Sequence, residues 1–309
     1  MRSSAISITH TMVGKPQQLP RPRAMSACHL SSEDLPKSSK ERYTNWFRTK
    51  PLSLTHEQAI ELINDANLAP EKLRILTYRF TWRLQALECG TMSNQVLLEQ
   101  FLPIFDMIFF FDLLQPELCQ LRFIAKGAPK WIANFEKKSG RMNAYTNRCE
   151  RKESSIISRI TFFEKDLADD KTQTLAHLGT LAHEMLHSFF HIYVCRCEEK
   201  CKAHLKEKNG LTGHGLPWHR CALTIETALQ KALDPSIHLS RTLVMAKELN
   251  QRNESTSTMP LGELGLVVSE VEHRIAQYKS MVKTKVKEVK GDGPESDDSE
   301  GTASDGTVC

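Results

Sequence analysis

His183-Glu184-Met185-Leu186-His187 is the stretch on which the reading of this chain turns. It lies in a run whose apolar residues, Leu175, Leu178, Leu181, Ala182, Met185, Leu186 and Phe189, recur at helical spacing. Asp169, Asp170 and Thr172 precede that run and place acids at the positive end of a helix. Four residues along a helix rise about 6 Å, so His183 and His187 share a face and can reach one metal ion. Glu184 follows the first histidine and is placed to take a proton from water that the metal activates. A chain with twelve histidines can produce such a string by accident. Its position on an amphipathic helix directly after a strand-rich region argues against accident.

A catalytic zinc ion requires a third protein ligand and one open position. His191 continues the helix but stands about 12 Å from His183 along the axis, too far to share the ion. Phe190 and Tyr193 occupy the positions where the extended H-E-x-x-H-x-x-G-x-x-H motif needs Gly and His, so that motif is excluded. Glu198 and Glu199 lie in a lysine-rich stretch and read as solvated. His214 sits between Gly213 and Gly215, which permit a close backbone approach, and Leu216-Pro217-Trp218 anchors the turn to a following helix. His214 is therefore the expected third ligand, with His219 as the fallback.

Working outward, Thr55 and Gln58 make a capping-box pattern before Ala59, Leu62, Ile63 and Ala66. Leu73, Leu76, Phe80 and Leu84 mark a second helix. A third is expected from Ser93 through the apolar run to Leu114, broken by Pro116. That run is too short and too acidic, with Asp106 and Asp112, to cross a bilayer. Leu121 to Ala125, Met142 to Asn147 and Ile156 to Phe163 read as three strands of a small antiparallel sheet. The Ile156 to Phe163 strand is the expected edge for aligning an extended substrate. Helices are also expected from Pro217 to about Leu233 and from Leu264 to Val289.

The 40% hydrophobic and 25% charged composition is that of an ordinary globular protein, and a net charge of +4 does not by itself indicate nucleic acid. Nine cysteines without a disulfide-like spacing read as free thiols or metal ligands in a reducing, intracellular compartment, nucleus or cytoplasm. Cys195, Cys197 and Cys201, with His204 or Cys221, form a candidate second zinc site. Cys221 near His219 is a weak candidate thiol nucleophile, and Trp218 is expected to pack behind the metal.

The H-E-M-L-H helix, the downstream G-H-G-x-x-W and the preceding strands resemble the SprT-like zinc metalloproteases, whose eukaryotic members include the spartan proteases. Phe111-Asp112-Leu113-Leu114-Gln115-Pro116 before the first strand resembles that family's opening element. The resemblance covers about residues 93–235. It implies a zincin-like α+β domain that cleaves proteins, with zinc on His183, His187 and His214 and Glu184 as general base. Some members act on proteins crosslinked to DNA. The chain departs from the family in a longer stretch between His187 and His214, and it shows no paired-cysteine ribbon after the domain.

The expected organisation is a disordered arm over 1–40, a helical extension over 41–92, the protease domain over 93–235, a second helical extension over 236–290 and a disordered acidic tail over 291–309. A protein substrate is the expected partner. A DNA-associated protease recruited through Lys200, Lys202, Lys206 and Lys208 is one alternative, and a zinc-containing scaffold without turnover is another. No membrane association is expected, and the sequence does not reveal the oligomeric state.

Overall fold

The apolar stripe around the histidine pair determines what the rest of the chain must cover. In a computed structural model, which describes residues 54–65, 70–88, 93–135, 143–149, 157–164, 170–196, 203 and 207–291, that stripe belongs to a 24-residue helix, Asp170–Tyr193. Leu178, Leu181, Ala182, Met185, Leu186 and Phe189 are fully buried along it. Burying each large side chain contributes roughly 1.5–3 kcal/mol. The helix is thus held by packing rather than by its own propensity.

In chain order the elements are α1 (His56–Asp65), α2 (Pro70–Glu88), α3 (Asn94–Phe109), β1 (Cys119–Ile124), α4 (Pro129–Phe135), β2 (Ala144–Arg148), β3 (Ser158–Phe163), α5 (Asp170–Tyr193), α6 (Leu216–Ala232), α7 (Arg241–Arg252), a 3-10 turn (Thr256–Thr258) and α8 (Val268–Gly291). The fold is mixed α+β, mostly helical around one small sheet. The capping box forms as expected: Thr55 N–H donates to Gln58 Oε1 at 2.8 Å and Gln58 N–H to Thr55 Oγ1 at 3.1 Å. Leu54 then bridges to Val194 in parallel, pinning the start of α1 to the end of α5.

The sheet order is β1-β3-β2, with β3 antiparallel to β2 but parallel to β1. The expected all-antiparallel sheet is therefore corrected to a mixed one. The reason is routing. A short return joins β2 to β3, whereas the path from β1 to β3 passes through α4 and β2 and brings the chain back in its original direction. The expected substrate-aligning edge is corrected with it. β3 is paired on both sides and β2 is the edge strand beside α5.

The third helix ends at Phe109 rather than continuing to Leu114. Phe111 and Asp112 adopt left-handed backbone, with φ of 58° and 59°, and turn the apolar run back into the core. Asp106 makes the turn possible, because its carboxylate accepts the Leu114 N–H at 2.9 Å. Tyr193 ties the same turn to the end of α5, donating its hydroxyl to the Leu113 carbonyl at 2.6 Å. Edge-on aromatic contacts run from Phe101 through Phe105 to Phe109, and Phe110 packs on Phe189 of α5.

Residues of α1, α2, α3, the sheet, α5 and α6 share one buried cluster. A second, smaller cluster joins α7 to α8 through Met245, Ala246, Leu249, Leu264 and Val271. The short α4 and the whole of α7 were not anticipated, and the last helix begins at Val268 rather than Leu264. The arm over 1–40, most of the acidic tail, and Cys197, Cys201, His204, Lys200, Lys202 and Lys206 lie outside the described residues.

Candidate metal centre

Gly179, His183 and His187 follow one another at four-residue intervals on α5 and so lie on one face. His214 reaches that face from the loop before α6. Two glycines give the loop its path. Gly213 has φ +82°, and a Cβ on Gly215 would stand 1.8 Å from the Lys208 carbonyl oxygen. Pro217 then sits in the first turn of α6.

The three histidines converge. The Nε2 atoms of His183 and His187 are 3.2 Å apart, those of His187 and His214 3.0 Å, and those of His214 and His183 3.0 Å. Among the described residues this is the group of ligand atoms close enough to hold a metal ion. A tetrahedral zinc ion with nitrogens at 2.0–2.1 Å sets neighbouring nitrogens about 3.3 Å apart, close to what is found.

The proton positions decide whether such a cluster suits a cation or is merely three rings bonded to one another. His183 Nδ1 lies 2.9 Å from the Leu239 carbonyl oxygen, which can only accept, so the proton of the neutral ring is on Nδ1. His214 Nδ1 lies 3.0 Å from the Thr212 hydroxyl, which donates its own proton to Glu248 Oε2 at 2.6 Å. His214 Nδ1 must therefore donate to Thr212. Both Nε2 atoms are left with bare lone pairs, so at most the His187 proton is shared among three short contacts. That imbalance is what a bound cation relieves. His187 and His214 also resist protonation. Burial, with His214 and His183 alongside, holds His187 well below the ordinary imidazole range. Burial, with His183 nearby, brings His214 down to about 2.

Trp218 packs against all three rings, with centroids at 4.7 Å from His183, 5.7 Å from His187 and 4.7 Å from His214, and lies nearly parallel to His187. It closes the centre from behind, as expected. Glu184 is buried, and Thr146 of the edge strand β2 donates its hydroxyl to Glu184 Oε2 at 2.7 Å. Burial raises the Glu184 carboxyl above its usual range, against the opposing influences of His183 and the Thr146 hydrogen bond.

The remaining candidates lie elsewhere. His219 is buried edge-on to Trp218, outside the triad, and burial with Arg241 nearby brings it down to about 3. His191 also stands outside the triad. Burial and the guanidinium groups of Arg196 and Arg148 lower it to about 4. Cys221 is fully enclosed, and burial pushes its thiol far up, which removes it as a nucleophile. Cys195 is buried just after the end of α5.

Four contributors escaped sequence reasoning: Thr146, Thr212, Glu248 and the Leu239 carbonyl. Only Thr212, two residues before His214, had any local signal. Comparison with known protein families, curated proteins and solved structures finds no match to this chain. No helix among the described residues is long and apolar enough to cross a membrane.

Proposed function

We propose that this chain is a zinc-dependent metallopeptidase of the SprT-like kind, with a zincin-like catalytic domain. The observation that carries the reading is the meeting of three imidazole nitrogens, two from the helix that also bears Glu184 and one from His214 on the loop before α6. Three histidine nitrogens suit zinc and leave it one coordination position for water or substrate. When bound, zinc lowers the pKa of water to about 7 and polarises a carbonyl.

The chain's own residues supply the rest. Glu184 takes the proton of the attacking water and returns it to the departing amide nitrogen. Burial raises its affinity for that proton, which suits it to act as a base first and an acid afterwards. Thr146 holds the carboxylate by its Oε2 atom. The same residue belongs to the edge strand, so a peptide pairing with β2 would run past the base. Trp218 keeps water from the far side of the histidines.

The test compares wild type with Glu184→Gln for self-cleavage and casein cleavage, with zinc measured in both. The expected result is lost cleavage with zinc retained. Undiminished cleavage by the variant would overturn the assignment of the base. Zinc without cleavage of either substrate by wild type would favour a binding role for the fold.

A further inference from the structure

We propose that Glu248, acting through Thr212, is a positioning residue that fixes the proton on Nδ1 of His214 and thereby raises the centre's affinity for metal. The inference rests on the metal-centre reading above and extends it to a helix outside the expected catalytic unit.

Glu248 is fully buried on α7, and its carboxylate accepts hydrogen bonds from Leu211 and Thr212 of the metal loop and from Arg252 of its own helix. Oε1 accepts from the Leu211 N–H at 2.7 Å and from Arg252 Nε at 2.6 Å. Oε2 accepts from the Thr212 N–H at 2.7 Å and from the Thr212 hydroxyl at 2.6 Å. Burial works against its charge, but the donors of Thr212, Leu211 and Arg252 hold the carboxyl below its usual range. An ionised carboxylate only accepts. The single proton of the Thr212 hydroxyl is therefore committed to Glu248, and the hydroxyl can only accept from His214 Nδ1 at 3.0 Å. The direction of one hydrogen bond is passed along two, and the Nε2 lone pair is left facing His183 and His187.

A purely structural role for Glu248 would require only the two backbone contacts. The hydroxyl link is what reaches the ligand, and outer hydrogen bonds of this type typically change metal affinity by about 10–100-fold.

Two substitutions separate these roles. Thr212→Val keeps the shape and the backbone N–H but removes the hydroxyl, whereas Thr212→Ser keeps the hydroxyl. Zinc affinity is read by competition with a chromophoric chelator, and the His214 proton position by long-range nitrogen–proton NMR of the metal-free full chain. Thr212→Val should bind zinc about 10–100-fold more weakly and lose the Nδ1–H form of His214 as its dominant state. Thr212→Ser should stay within about threefold of wild type and keep that form. Glu248→Gln, which puts a donor where two donors already point, should weaken zinc in the same direction. If Thr212→Val binds zinc as wild type does and keeps the Nδ1–H form, the inference is wrong. His214→Ala identifies the other failure: wild type holding no more zinc than this variant would overturn the metal centre itself.

Discussion

Gly179→Ala sets two magnitudes of opposite sign against each other. Inside a helix, alanine is favoured over glycine by about 1 kcal/mol, so local propensity predicts a stabilised α5. The tertiary structure predicts otherwise. A Cβ at position 179 would stand 2.5 Å from the His238 carbonyl oxygen and 3.2 Å from its carbon. Restoring an ordinary contact requires the backbone to retreat by about 0.9 Å, and overpacking of this kind costs about 1–3 kcal/mol. The net effect on the metal-free fold is a loss of about 0–2 kcal/mol. The strain has few places to go. Leu239 is buried, and its N–H donates to Glu226 Oε2 at 2.6 Å. Gln230 holds the Ile237 carbonyl at 3.0 Å. The bond left to stretch is the one from His183 Nδ1 to the Leu239 carbonyl, now 2.9 Å. Zinc affinity should therefore fall by about 10–100-fold. Chelator competition measures that loss, and melting of the metal-free protein measures the stability change. A variant that melts higher than wild type and binds zinc equally well would refute the reasoning.

Two further outcomes follow from buried charges. Burial raises the Asp106 carboxyl from 3.8 to about 7, so folding takes up a proton between those values and stability falls as pH rises through that window. Asp106→Asn retains an oxygen for the Leu114 N–H. It should flatten this pH dependence and be more stable than wild type above pH 7, by at most a few kcal/mol at about 1.4 kcal/mol per pKa unit. Urea midpoints of the metal-free protein at pH 4.5 and 8 check this, and an unchanged profile would count against it. Glu226→Ala strands the buried Arg241, now paired at 2.8 Å, and frees the Leu239 N–H. It should cost about 3–5 kcal/mol in urea unfolding, and a loss below about 1 kcal/mol would contradict that assignment.

What could be read in the sequence was what local pattern encodes. The capping box at Thr55 and Gln58, the apolar stripe of α5, the Pro217 start of α6 and the three strand positions are all present near their expected places. The pair on α5 was legible because two ligands on one helix face need a four-residue spacing, and His214 because Gly213 and Gly215 flank it. Strand order was not legible. Whether β1 runs parallel or antiparallel to β3 depends on the route of the chain between them, and that route also put β3 at the centre with β1 and β2 as the edges. The early end of α3 was hidden because Phe110, Leu113 and Leu114 stay apolar after the helix stops. What stops it is the Asp106 carboxylate. The outer support of the centre was least visible, because Leu239 contributes a backbone oxygen and Glu248 belongs to a helix whose partner loop lies 36 residues earlier.

The central claim, that His183, His187 and His214 together hold one zinc ion, is tested most directly by counting metal. Zinc per chain should be measured by elemental mass spectrometry on wild type and on His214→Ala, purified identically. Wild type should hold one equivalent more than the variant, whatever the cysteines contribute to either. Equal zinc in the two proteins would contradict the account.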